Sequence, residues 1–135
     1  MPNIRTMPRT AYNRTICTIR DYPRMVCELE QLKKDAVHLK AAAYDGMPKG
    51  SSGSGGLDDK VIRLADLEAE VKRIQEVIDM IPADMRDGIM DNVLYGISFP
   101  RNEYGQMVPS HRTWQREKQK FIVLCARKLR IYGKY

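Results

Sequence analysis

Between Tyr22 and Ala43 apolar side chains recur in alternating steps of three and four, at Tyr22, Met25, Leu29, Leu32, Ala36, Leu39 and Ala43. The same alternation returns at Leu64, Leu67, Val71, Ile74, Ile78 and Ile81. Such steps bring side chains round to one face of an α-helix, so each run predicts a helix carrying a heptad seam. The first helix is expected from about Pro23 to Ala43, with Pro23 in the first turn, where its missing N–H costs nothing. The second is expected from about Asp58 to Ile81, with Asp58 and Asp59 favouring its N-terminus. Between them lies YDGMPKGSSGSGG, Tyr44 to Gly56, whose Gly, Ser and Pro content predicts a flexible connector. Two seamed helices on such a connector predict an antiparallel coiled-coil hairpin, which can also dimerise across chains.

Shorter helical patterns flank this pair. Tyr12, Ile16 and Ile19 predict a helix from about Thr10 to Arg20, with an apolar stripe that needs a partner. Pro82 is expected to open a helix, PADMRDGIMDNVLY, lined by Met85, Ile89 and Val93 and stopped by Gly96. Residues 97–109, ISFPRNEYGQMVP, leave room for only a turn of helix. A last helix then begins at Ser110, placing Trp114, Phe121, Cys125 and Leu129 on one side with Ile122 and Leu124 at its borders. The expected class is therefore all-α. It comprises a basic arm with a short helix at 1–21, a helical hairpin at 22–81 with its loop at 44–56, and a helix-turn-helix-like DNA-binding region at 82–135.

Charge changes this picture from architecture to partner. The net charge of +6 is uneven: +4 over residues 1–56, −3 over 57–81 and +5 over 82–135. Basic ends point to a polyanion, whose contacts with Lys and Arg gain from counterion release. The densest stretch, Ser110 to Lys134, carries eight Lys and Arg against one acid, Glu117. Opposite its apolar side, Arg112, Gln115, Arg116 and Gln119 share a narrow arc in the first half of the helix. A recognition helix presents base-reading side chains there, Arg suiting guanine and Gln adenine. Ser110 is the expected N-cap, leaving an N-terminus able to face a phosphate. His111 and Lys120 join this set as DNA-binding candidates, His111 either contacting phosphate or merely decorating the cap. Arg5, Arg9 and Arg14 make the N-terminal arm a second candidate for holding the DNA backbone. The plainer reading is a C-terminal amphipathic helix with a solvated basic face, since Arg127, Lys128 and Arg130 favour its dipole anyway.

Other chemistry is weakly indicated. Cys17, Cys27 and Cys125 are odd in number and lack CxxC spacing, so they read as reduced thiols rather than disulfides or a zinc knuckle. No cofactor or metal is expected. Asp66, Glu68 and Glu70 do not converge on one point, and no Cys/His or Ser/His/Asp arrangement stands out, so no catalytic residue is assigned and an enzyme is not expected. No apolar run has membrane-spanning length, which predicts a soluble, cytoplasmic protein with no membrane partner.

Three features together resemble the RinA/ArpU-type late transcription regulators of phages infecting Gram-positive bacteria: RDYP at Arg20–Pro23 opening a long helix, YDGMPKG with its Gly/Ser loop at Tyr44–Gly50, and TWQREKQKFIVLCARKL at Thr113–Leu129. The resemblance runs from about residue 10 to the end. It implies an all-helical protein with a helix-turn-helix resembling sigma-factor region 4, binding double-stranded promoter DNA and activating late genes in the cytoplasm of a bacterial host. Host RNA polymerase and a second copy of the chain are the further partners expected. The alternatives are a small terminase subunit recognising packaging-site DNA, and a coiled-coil protein-interaction adaptor.

Overall fold

A computed structural model describes residues 7–44 and 54–132, with the side chains at 38–44 and 54–58 set aside. Among the described residues there are five helices and no strand: α1 (Arg9–Arg20), α2 (Tyr22–Tyr44), α3 (Ser54–Asp79), α4 (Arg86–Tyr95) and α5 (His111–Lys128). The described residues are all-helical, as the periodicities predict. It divides into two compact units, one of Met1–Tyr22 with Arg73–Tyr135 and one of Pro23–Lys72.

In the Pro23–Lys72 unit, Met25 and Leu29 of the expected seam are buried. Leu32, Ala36, Leu64, Leu67 and Val71 are half-buried. Glu28 on α2 accepts from Arg63 Nε of α3 at 2.8 Å and from Arg24 one turn earlier at 2.8 Å. Lys33 Nζ lies 3.8 Å from Glu68 Oε1. The Arg63 hydrogen bond holds the Glu28 carboxyl below the ordinary glutamate range despite some burial. All of these groups remain wet, so the pairs contribute little stability and chiefly orient side chains. Leu39, Ala43 and His38 have side chains outside the described residues, as does the connector over residues 45–53.

The rest of that connector differs from expectation. Tyr44 closes α2, and Ser54, Gly55 and Gly56 already belong to α3. A helix of this length propagates into weak helix formers once nucleated, since each added residue gains a hydrogen bond. The earlier start puts Asp58 and Asp59 beyond the first turn, where the helix dipole reaches them weakly.

In the larger unit α1 packs against α4 and α5, and α4 packs against α5. Its core includes Ile19, Ile89, Trp114, Phe121 and Ile122 with Ile74 and Val77 from the end of α3, all below 3% exposed. Each fully buried side chain of this size contributes roughly 1.5–3 kcal/mol. The stripe on α1 is shifted from the expected one. Thr15 and Ile19 are fully buried, while Tyr12 and Ile16 are half-buried. A threonine can occupy that core position because its hydroxyl donates to the Ala11 carbonyl at 2.8 Å.

The helix expected from Pro82 begins later, at Arg86. Ile81 precedes a proline, which disfavours helix there, so α3 ends at Asp79 and a turn closes with Met85 N–H donating to Pro82 O at 2.9 Å. Arg86 then serves the helix behind it. Its guanidinium donates to the Ile78, Asp79 and Ile81 carbonyls, each at 3.1 Å, satisfying the last two and adding to the Ile81 N–H bond that Ile78 O already accepts. At the other end of α4, Gly96 adopts φ +70° as the left-handed stop. Inside α4, Gly88 meets the neighbouring elements. A Cβ there would lie 2.9 Å from Trp114 Cζ3 and Cη2 and from Pro100 Cδ.

Candidate nucleic-acid interface

Helix α5 starts where its sequence signal places it. Ser110 is the N-cap, its Oγ accepting from Thr113 N–H at 3.4 Å and lying 3.1 Å from Thr113 Oγ1. On one side Trp114 and Phe121 anchor the helix, at 2% and 1% exposed. The Trp114 ring stacks on Phe99 with centroids 5.2 Å apart and planes 20° apart. Phe99 in turn meets the His111 ring edge-on at 5.9 Å. Trp114 and Phe121 are thus buried on the side where their helical spacing puts them.

On the other side Arg112, Arg116 and Gln119 are exposed, with Lys120 exposed on a flank. None of the four has a hydrogen bond or ion pair among the described residues, so their donors face water. Gln115 is half-buried and engaged, its Nε2 lying 3.4 Å from His111 Nε2. The structure thus brings Arg112, Arg116 and Gln119 into one open arc and ties Gln115 and His111 to each other at its edge. At 1.5 Å per residue the arc from Arg112 to Gln119 is about 10 Å long.

That arc does not continue along the helix. Projected at 100° per residue, Ile122, Val123 and Ala126 fall in the same sector, and all three are buried. The apolar side expected at Trp114, Phe121, Cys125 and Leu129 is therefore too narrow for the second half of α5, and Leu129 itself is only half-buried. Packing of α1 along α5 accounts for part of this extra burial. The chain also turns back after Arg130, which adopts φ +58°, and Ile131 N–H donates to Ala126 O at 2.8 Å while Arg130 N–H donates to Arg127 O at 3.1 Å. This is a Schellman ending with arginine where glycine is usual.

The N-terminal basic residues are less convergent. Arg5 lies outside the described residues, whereas Arg9 and Arg14 are exposed on α1 and point about 140° apart. Two further basic residues of this unit, Arg20 and Lys118, differ in their surroundings. Arg20 Nε donates to Val93 O at 3.1 Å, capping one of the last carbonyls of α4. Lys118 is half-buried on α5, its ammonium pushed below the usual lysine range by burial and then by the nearby Arg20 charge.

The connection from Gly96 to Ser110 is ordered by its own bonds. Asn102 Oδ1 accepts from the Tyr104 and Gln106 N–H groups at 2.9 Å each, Asn102 N–H donates to Gln106 O at 2.8 Å, and Arg101 Nη1 donates to Gly105 O at 2.8 Å. Tyr104 at its tip is 79% exposed.

The thiols separate by environment. Cys125 is fully buried, and that burial pushes its pKa up to about 12, whereas Cys17 and Cys27 are exposed. Since the thiolate is the reactive form, Ellman's reagent at pH 8 should titrate Cys17 and Cys27 in the folded protein and Cys125 only after denaturation. Prompt reaction of all three under native conditions would contradict the packing around α5. Among the described residues no group of three His, Cys, Asp or Glu is placed to hold a metal ion, and no helix is long and apolar enough to cross a membrane. Compared with protein-family models, with curated proteins and with solved structures, the chain matches none.

Proposed function

We propose that this chain is a sequence-specific DNA-binding transcription regulator, a phage or prophage late-gene activator, in which the first half of α5 enters the major groove. One observation carries the reading. Arg112, Arg116 and Gln119 form an open arc with unengaged donors on a helix whose opposite side is fixed by Trp114 and Phe121. Base readout needs this combination, because a side chain discriminates bases only when its backbone is held rigid. Exposed Arg9 and Arg14 supply backbone phosphate contacts. The α4–α5 pair serves as a helix-turn-helix with a long connection, Gly96–Ser110 replacing the usual turn of about three or four residues. The Pro23–Lys72 unit acts as a coiled-coil hairpin for pairing with a second copy or with host RNA polymerase. Its exposed Val37, Val61 and Ile62 support such a use.

Fluorescence anisotropy with a promoter fragment from the chain's own genome and a scrambled duplex, over a salt series, tests the reading. The promoter should keep its preference at higher salt, and the Arg116→Ala/Gln119→Ala double variant should lose most of it. Each bidentate base contact discriminates by about 1–3 kcal/mol, so at least a tenfold drop is expected. Unchanged preference in the double variant removes these residues from base reading, and absence of salt-sensitive binding removes the DNA-binding function itself.

A further inference from the structure

Between Tyr95 at the end of α4 and His111 at the start of α5 the chain runs through residues 96–110 without a helix or strand. Connections of this length are uncommon inside a compact unit and commonly carry function. Both ends of the excursion are fixed to the first turn of α5. Phe99, 4% exposed, stacks on Trp114 at 5.2 Å and meets His111 edge-on at 5.9 Å, and Ser110 is the N-cap itself. The chain between is braced across its neck and tip. Asn102 N–H donates to Gln106 O at 2.8 Å, Gly105 N–H to Asn102 O at 2.9 Å, and Arg101 Nη1 to Gly105 O at 2.8 Å, while Asn102 Oδ1 accepts from the Tyr104 and Gln106 N–H groups. Gly105 supplies the left-handed turn at φ +75°. Ordering a backbone opposes folding at every residue, and the order here holds no core in place, because residues 101–106 are all exposed. What it holds is Tyr104, at 79% the most exposed of the large hydrophobic side chains among the described residues. A tyrosine on a fixed backbone loses little entropy when it meets a partner, so the loop is preorganised to present this ring and its hydroxyl.

We propose that Tyr104 is a DNA-backbone contact, its hydroxyl donating to a phosphate oxygen of the strand that borders the groove entered by α5. The inference rests on the DNA-binding reading above and adds a contact to it. Position names the partner. A reading helix enters the major groove by its N-terminal residues, so a rigid element fixed to that turn stands against the sugar–phosphate backbone at the groove edge. The exposed neighbours of Tyr104, which are Arg101, Asn102, Glu103 and Gln106, are polar, so no apolar patch surrounds the ring as the centre of a protein interface requires. Arg101 and Glu103 cancel in charge, and the loop therefore meets DNA through a neutral donor. Such a contact fixes the register of α5 on the duplex without carrying sequence information and without displacing counterions.

The test is the full-length chain with Tyr104→Phe and, separately, Tyr104→Ala, measured by anisotropy against the promoter and the scrambled duplex over a salt series. Tyr104→Phe should bind both duplexes more weakly by about tenfold, the size of one hydrogen bond to a charged acceptor, and Tyr104→Ala by at least as much. The promoter-to-scrambled ratio and the slope of log affinity against log salt should stay as in the parent, because the lost group is neutral. Melting temperatures should also match the parent, since the ring lies outside the core. A methylphosphonate scan of the promoter then locates the acceptor: at one position the substitution weakens the parent and adds nothing to the loss in Tyr104→Phe. If both variants bind both duplexes as tightly as the parent, the contact is wrong while DNA reading stands. A loss confined to the promoter makes Tyr104 a base contact and overturns the phosphate assignment. A melting temperature that falls with the affinity makes the ring a structural one and overturns the contact. Failure of the parent chain to bind either duplex overturns the DNA reading and the contact with it.

Discussion

Trp114→Ala should lower the unfolding free energy by about 3 kcal/mol, read from urea denaturation followed by far-UV circular dichroism. The ring is 2% exposed and lies between Phe99, stacked at 5.2 Å, and the bare backbone of Gly88. Removing a buried tryptophan forfeits transfer energy and leaves a cavity, which together cost about 3–5 kcal/mol. The lower end is expected because the Trp114 Nε1 donor is buried with no hydrogen-bond partner among the described residues. Its removal recovers part of the roughly 1–3 kcal/mol attached to an unsatisfied buried group. Trp114→Phe should accordingly be milder than the loss of ring area suggests. A Trp114→Ala loss below about 1 kcal/mol would show that the ring does not anchor α5. It would also remove the rigid backing from Arg112, Arg116 and Gln119.

Gly88→Ala should be destabilising by about 1–2 kcal/mol, against the trend for helical glycines. In an open helix the change would gain about 1 kcal/mol from better helix propensity. Here the new Cβ would sit 2.9 Å from Trp114 Cζ3, Trp114 Cη2 and Pro100 Cδ. Overpacking of this kind costs about 1–3 kcal/mol, more than the propensity gain. Two of the three contacts disappear in Trp114→Phe, since phenylalanine lacks those ring atoms. The Gly88→Ala penalty should therefore shrink in the Phe background, with a coupling of about 0.5–2 kcal/mol in a double-mutant cycle. Rescue should be incomplete because Pro100 remains. Equal penalties in both backgrounds would place the clash elsewhere.

These two residues also mark how far the amino-acid pattern can be read without coordinates. The seams at Tyr22–Ala43 and Leu64–Ile81, the stop at Gly96 and the cap at Ser110 are local signals, and each corresponds to a helix or its end. Boundaries slipped where turn and side-chain bonds took part. The turn closed by Met85 N–H on Pro82 O delays the start of α4, and Arg86 ties its guanidinium back to the carbonyls ending α3. On α1 an internal hydrogen bond let Thr15 pass as a core residue, which hydropathy alone cannot register. A glycine inside a helix is a legible oddity, but what it accommodates is not legible, because Trp114 lies in another helix. The proposed reading arc was legible in Arg112, Arg116 and Gln119 since it depends on helical geometry alone. Gln115 differs because His111 occupies its amide.

The burial of α5 beyond Lys120 has a consequence for addressing. Exposed side chains on the first half of α5 run from His111 to Lys120, about 14 Å at 1.5 Å per residue, and in the next turns Phe121, Ile122, Val123, Cys125 and Ala126 are committed to the core. At 3.4 Å per base pair that length covers about four or five steps of duplex. A word of five base pairs recurs by chance about once per thousand positions, while a genome offers on the order of a million competing sites or more. One copy of the proposed reader would thus hold too little information to find a unique promoter. A two-fold repeat of the word, read by two chains at fixed separation, roughly squares the discrimination. On this arithmetic the short exposed run of α5 would make partnership a requirement of the proposed specificity, and the target to look for under that proposal is an inverted repeat of short half-sites.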